Sequence, residues 1–326
     1  MSSSTTTGVD WRKDLKMSII SSILTLVLGS LLPIFLKNDY LYYSAYVVLV
    51  YIVLSIAWNI LGGYAGYLNF GVSAFYGVGA YTSAMLFLRF DVPMPFGTLA
   101  GGALAAILGV LVGYSTLRLK GIYFAMTSLA VAVMIQMFIV NTTELGGSRG
   151  LYIFTPKPPP PYYSYTEYLF VFMLVLALGV LIIARAVENS WLGFGLRSIK
   201  DDEFAAEASG VPTFKLKILA ATLSGFFMGT AGGTFPFHIT YLEPYSAFSL
   251  EITLNTIAMV LMGGVGRWYG ALIGALILAS IQQVISVSIS SELNLLATGV
   301  FLLAFVLWAP NGLVGFITKR SIREGC

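Results

Sequence analysis

Apolar positions in this chain are gathered into long runs, with neither the strict alternation of barrel strands nor the narrow stripe of a soluble amphipathic helix. Runs of roughly twenty apolar residues recur along the whole length. That matches the ~20 helical residues that cross ~30 Å of hydrocarbon, whereas membrane β-strands need only ~10 alternating residues. The pattern predicts an all-α integral membrane protein, a polytopic bundle of about ten transmembrane helices. The spans fall at 17–35, 40–60, 66–88, 96–117, 121–140, 168–185, 217–236, 251–264, 269–289 and 294–309. Residues 1–16 form a polar segment before the first run, 17–309 a transmembrane body and 310–326 a tail. The first run is longer than a signal-peptide core and lacks a clear small-residue cleavage site, so it reads as a retained span.

Composition agrees. Apolar residues are 57% of 326 and charged residues 10%, with a mean hydropathy of +0.85, more apolar surface than a water-soluble core could hide. Charge then sets the sidedness. With the N-terminus inside, only Lys37, Arg89, Arg149 and Lys157 of the 18 lysines and arginines fall outside, as the positive-inside rule expects. The expectation is a multi-pass protein of the cell membrane with both termini in the cytoplasm. One cysteine, Cys326, and one histidine, His238, leave no disulfide framework and no His/Cys metal site within a single chain. No phosphate loop, nucleophile elbow or HExxH pattern occurs.

Two loops are long. The outer one, 141–167, carries Pro156, Pro158, Pro159, Pro160 and Pro161, which favour a stiff extended lid or spacer. The inner one, 187–216, mixes charge with small apolar residues. From Asp201 onward it predicts a short helix: an Asp cap, acids near the positive N-terminal dipole, an alanine-rich body, then Gly210 as stop and Pro212 beyond. Phe204, Ala205 and Ala208 share one face, which suits either docking into a groove on another protein or rest on the bilayer surface.

Glycine interrupts the apolar pattern twice. Gly62, Gly63, Gly66, Gly71, Gly77 and Gly79 form one cluster, and Gly263, Gly264, Gly266 and Gly270 another. Each touches the third span of its half if the chain divides into two inverted five-helix halves. Unwound backbone is tolerated at depth only where it lines a cavity or is buried in protein, so such breaks point to a solute path, while close helix packing also uses glycine. The first cluster reads as a path and the second as packing with a tight turn at Arg267. No charge lies near the centre of a span, which disfavours ion-coupled transport. The polar groups at depth are neutral: Asn69, Ser73, Thr127, Ser128, Gln136, Ser224, Asn255, Thr256, Gln282 and Gln283. Asn69, Gly71, Ser73, Tyr76, Tyr81 and Thr127 are the candidate path residues.

The stretch Gly63-Tyr64-Ala65-Gly66-Tyr67-Leu68-Asn69-Phe70-Gly71 is followed by Ala74-Phe75-Tyr76-Gly77-Val78-Gly79-Ala80-Tyr81-Thr82. Together they resemble the signature of LivM-type permeases, the membrane subunits of branched-chain amino acid ABC importers. Leu119 to Leu129, Gly146-Gly147-Ser148, Leu196 to Gly210 and Gly263-Gly264-Val265-Gly266 agree in order, over roughly 40–318. The resemblance implies a permease for a branched-chain or other hydrophobic amino acid, with no catalytic residue and no cofactor. It also implies that cytoplasmic ABC ATPase subunits dock on the inner loop through Arg197, Asp201, Glu203, Ala205, Ala206, Glu207 and Gly210. A second homologous permease chain and an external solute-binding protein would complete the assembly in membrane lipid, and no nucleic acid is expected. Val72 and Arg149 depart from the residues common at their positions, which leaves the solute open: urea and short-chain amide permeases share these motifs. A carrier or channel acting alone, or a membrane receptor, are the readings from other classes.

Overall fold

The computed structural model describes residues 38–154, 156–160, 162–288 and 299–300. The spans expected at 17–35 and, apart from 299–300, at 294–309 lie outside the described residues, as do the segments 1–16 and 310–326.

Helix α1 is Asp39–Trp58, capped by the Asn38 side chain, which accepts from the Tyr40 backbone N–H. It widens into a π-turn, Asn59–Gly63. Residues 66–71 have neither helix nor strand, and α2, Val72–Phe90, starts only after them. Helix α3 is Met94–Thr116 and α4 is Ile122–Asn141. After two short 3₁₀ turns, strand β1, Leu151–Tyr152, pairs antiparallel with β2, Tyr241–Leu242. Between them run α5, Tyr165–Glu188; α6, Trp191–Asp201; α7, Glu203–Ala208; α8, Thr213–Gly233; and the short α9, Phe235–His238. The short α10, Pro244–Ala247, leads to α11, Leu250–Gly263, and α12, Trp268–Ser288.

Among the described residues, seven helical segments are long and apolar enough to cross a membrane. They account for seven of the expected spans. The span expected at 66–88 is cut short, because its first residues are the unwound stretch and only α2 remains helical.

The packing follows from small residues at every fourth position. On α3 these are Gly97, Gly101, Ala105, Gly109 and Gly113; on α8 they are Ala221, Gly225, Gly229 and Gly233. A side chain at Gly109 would meet the Ala221 carbonyl and one at Gly229 the Ala105 methyl, so the two backbones lie in direct contact. Lipid tails are as apolar as leucine, so such close approach, and not the hydrophobic effect, holds helices together in a bilayer. Helix α2 fits across this pair, with Gly79 against the Gly229 carbonyl and Gly101 against the Gly79 carbonyl. Helix α1 is the most enclosed, 78% of its apolar window buried, while α4 has 28% buried and lies at the periphery. Polar groups at depth tie α1, α11 and α12: Gln282 donates to Asn255 at 3.2 Å and Asn255 to the Tyr51 hydroxyl at 3.4 Å.

Candidate functional site

The unwound stretch folds back beside the helix it leaves. The Trp58 indole N–H donates to the Asn69 carbonyl at 2.8 Å, so Asn69 sits level with the last turn of α1, inside the bundle. The Asn69 side chain accepts from the Gly71 N–H at 2.8 Å, and the Ser128 hydroxyl accepts from the Phe70 N–H at 3.0 Å while donating to the Ala125 carbonyl. These bonds satisfy backbone groups that no helical ladder serves, which makes the break tolerable at depth. Asn69, Gly71 and Ser128 border a cavity of about 20 Å³ whose other walls include Leu61, Phe75, Leu108, Val112, Phe124 and Val131. That is room for about one water, in a chamber whose remaining lining is apolar apart from Thr116.

The remaining candidates scatter. Ser73 is buried, and its N–H donates to the Thr253 hydroxyl at 3.2 Å. Tyr76 is buried against Phe235, and its backbone touches Gly232. Tyr81 is buried near Phe248, its hydroxyl without a hydrogen-bond partner among the described residues. Thr127 does not border the cavity; its hydroxyl donates to the Tyr123 carbonyl of its own helix. The structure therefore joins Asn69 and Gly71, adds Ser128, and leaves the other four apart from the cavity.

The inner loop is more ordered than its composition suggests. Leu192, Leu196 and Ile199 recur at helical spacing and are buried, making α6 an amphipathic helix where the sequence reading has a loop. Its last residue is Asp201, and the cap of α7 is Asp202, whose side chain accepts from the N–H groups of Phe204 and Ala205. Gly210 closes the segment at φ +84°, a conformation that favours glycine. Ala206 faces inward, whereas Phe204, Ala205, Glu207 and Ala208 are exposed, Phe204 by 73%.

Two charge clusters root this segment beside the break. In one, the Glu203 carboxylate accepts from the Tyr67 hydroxyl at 2.7 Å and from Lys217 at 2.8 Å, with Lys120 at 3.3 Å. Lys217 also donates to the Leu117 carbonyl and to the Tyr67 oxygen, and its side chain is only 3% exposed. Burial alone raises the Glu203 carboxyl. Hydrogen bonds from Lys217 and Tyr67, the Lys217 charge and Lys120 outweigh it and hold the group below its ordinary value. In the other cluster, Glu188 pairs with Arg197 at 2.9 Å, accepts from the Tyr64 hydroxyl at 3.3 Å and lies 3.5 Å from the Trp268 N–H.

The second glycine cluster reaches the same place. Gly263 presses on the Gly270 carbonyl, joining α11 to α12, and Gly264 and Gly266 turn the chain at positive φ. The Gly266 N–H donates to the Asn59 side chain at 2.9 Å, and Lys200 donates to the Gly63 carbonyl at 3.1 Å. Asn59, Glu188, Lys200 and Lys217 were not among the sequence candidates. Asn59 carries a detectable signal, a lone amide at the end of an apolar run just before two glycines; a surface lysine reaching a carbonyl 137 residues away carries none.

Comparison with known proteins identifies the architecture. The family described as branched-chain amino acid transport system / permease component matches residues 40–307. The chain belongs to this permease family. It is 27% identical to the high-affinity branched-chain amino acid transport system permease protein LivM of Escherichia coli over 294 residues, 82% of this chain and 68% of the relative. It is 23% identical to LivH of Salmonella typhimurium over 285 residues, covering 81% and 91%. It is 25% identical to a probable LivM permease of Methanocaldococcus jannaschii, covering 81% and 90%. No solved structure matches. A transport permease component is a conduit and not an enzyme, and the apolar helices make this one a multi-pass membrane protein.

Proposed function

We propose that this permease carries a branched-chain or other apolar amino acid inward, driven by separate ATPase subunits that dock on the exposed face of α7. The end of the bundle bearing Lys120, Lys200 and Lys217 is then cytoplasmic. A second homologous permease chain completes the conduit, and an external solute-binding protein delivers the solute. The observation that carries this reading is the root of α7. Glu203 binds Tyr67 of the unwound stretch on one side and the buried Lys217 on the other, so a push on the α7 face is delivered to the break. The exposed Phe204, Ala205 and Ala208 offer a shallow apolar surface for that push. Energy from nucleotide hydrolysis then acts by shifting a conformational equilibrium, and no charge relay inside the spans is needed. The cavity walls favour an apolar side chain: Leu108, Val112, Phe124 and Val131 outnumber the polar Asn69, Thr116 and Ser128.

The decisive experiment is reconstitution in liposomes. The permease alone should take up no radiolabelled leucine, and uptake should appear only with its ATPase subunits, second permease, binding protein and ATP. Uptake by this chain alone overturns the reading.

A further inference from the structure

The two glycine clusters meet at one point, and that contact is built in a way that neither helix packing nor turn formation requires. The Asn59 side chain spans from the π-turn to the Gly266 N–H at 2.9 Å. A side chain at Gly63 would lie 3.0 Å from the same Gly266 nitrogen, so the two backbones are already close. Asn59 is buried, 1% exposed, within one turn of Leu61, which forms a wall of the 20 Å³ cavity. On the outside of the contact lies Lys200, from the last turn of α6. Its ammonium donates to the Gly63 carbonyl at 3.1 Å, and its aliphatic stem lies 3.1 Å from where a Gly66 side chain would start. Glu188 reaches both strands of the junction as well, through Tyr64 and the Trp268 N–H. The turn beneath is a π-turn, a geometry that costs hydrogen-bond quality and recurs at functional sites.

We propose that this contact is the inner closure of the solute path, with Asn59 as its bolt and Lys200 as the positioning residue through which α6 and α7 release it. The proposal rests on the permease reading above and deepens it. In the closed arrangement the Gly63 carbonyl, left free by the π-turn, is satisfied by the Lys200 ammonium. When the docked segment moves, Lys200 is withdrawn, Gly63 loses its donor, and the closed state loses the interaction that the open state never had. Only such a differential contact can shift the equilibrium. The Asn59 to Gly266 bond then parts, and the cavity behind Leu61 opens to the cytoplasm.

The test uses the full transporter in nanodiscs, with Cys326 replaced by Ser and Ala74, a cavity wall, replaced by Cys. Labelling by a hydrophilic maleimide is followed without nucleotide. Lys200→Met keeps the stem and deletes the donor. It should raise the labelling rate roughly fivefold or more, as loss of one charge-assisted hydrogen bond to the closed state predicts, and Lys200→Arg should restore the low rate. Asn59→Leu, if it folds, should label faster still. Equal labelling of Lys200→Met and the unaltered lysine overturns the proposal. Failure of the broader reading looks different: ATPase subunits would not copurify with the unaltered chain, whatever the labelling rate.

Discussion

The two glycine clusters have similar composition and do opposite things to the backbone. In the second, glycines let α11 and α12 touch and turn sharply, Gly263 against the Gly270 carbonyl and Gly264 and Gly266 at positive φ, and helix resumes after four residues, at Trp268. In the first, the chain runs for eight residues without helix, 64–71, and bonds within that stretch are taken up by Asn69, Ser128 and Trp58. Partners make the difference. A glycine-rich segment in a bilayer unwinds only where other groups accept and donate in place of the lost ladder, and only the first cluster is followed by an Asn with a Ser from α4 alongside.

Substitutions separate these roles. The largest effect is expected at Gly263→Val, because the new side chain meets backbone that cannot move aside. Overpacking of this kind costs ~3 kcal/mol or more, and the monodisperse peak on size exclusion should be lost. Lys217→Met comes next, since it takes the buried ammonium from the Glu203 carboxylate and leaves only the Tyr67 hydroxyl and the exposed Lys120 as its partners. Losing a charge-assisted hydrogen bond of this kind costs ~2 kcal/mol, seen as a lower thermal midpoint in detergent. This effect depends on pH with a defined sign. In the native chain the Glu203 value is lowered, so its contribution is present above the ordinary carboxylate range and is lost as pH falls through the lowered value. The deficit of Lys217→Met should therefore stay constant from pH 8 to 5 and shrink only as pH falls further, through the ordinary carboxylate range toward the lowered value. A deficit that does not change with pH would place the loss in packing and not in charge.

Gly66→Ala tests the break itself. Its φ of +76° costs an L residue about 1–2 kcal/mol, and the added methyl would lie 3.1 Å from Lys200. Uptake should fall severalfold while the chain stays folded. The smallest effect belongs to a glycine outside both clusters. Gly179 lies in α5 with nothing within 4 Å of a new methyl, so Gly179→Ala should be neutral or stabilising by up to ~1 kcal/mol.

Membrane class, seven of the spans and the short inner helix were legible because each rests on local chemistry. Long apolar runs need lipid, and an Asp cap, alanines and a glycine stop make a short helix. The charges of 187–216 mask α6 in the sequence, and the buried Leu192, Leu196 and Ile199 at helical spacing are its signal. The every-fourth-residue glycines of α3 and α8 were equally visible, yet that they face one another follows only from the packing. Thr127 shows the reverse. Its polarity at depth marked it as a candidate, and its own helix absorbs its hydroxyl.

From its sequence alone this protein is determined to be a bundle of membrane helices with weakened backbone at two places, because burial in lipid and loss of helix propensity are properties of the chain nearest each residue. Tertiary structure alone decided that the two weak places touch, that Asn59, Lys200 and Glu188 stand at the contact, and that Glu203 and Lys217 meet beside the break. Bonds across 137 and 207 residues depend on where whole helices lie, and no local pattern encodes that.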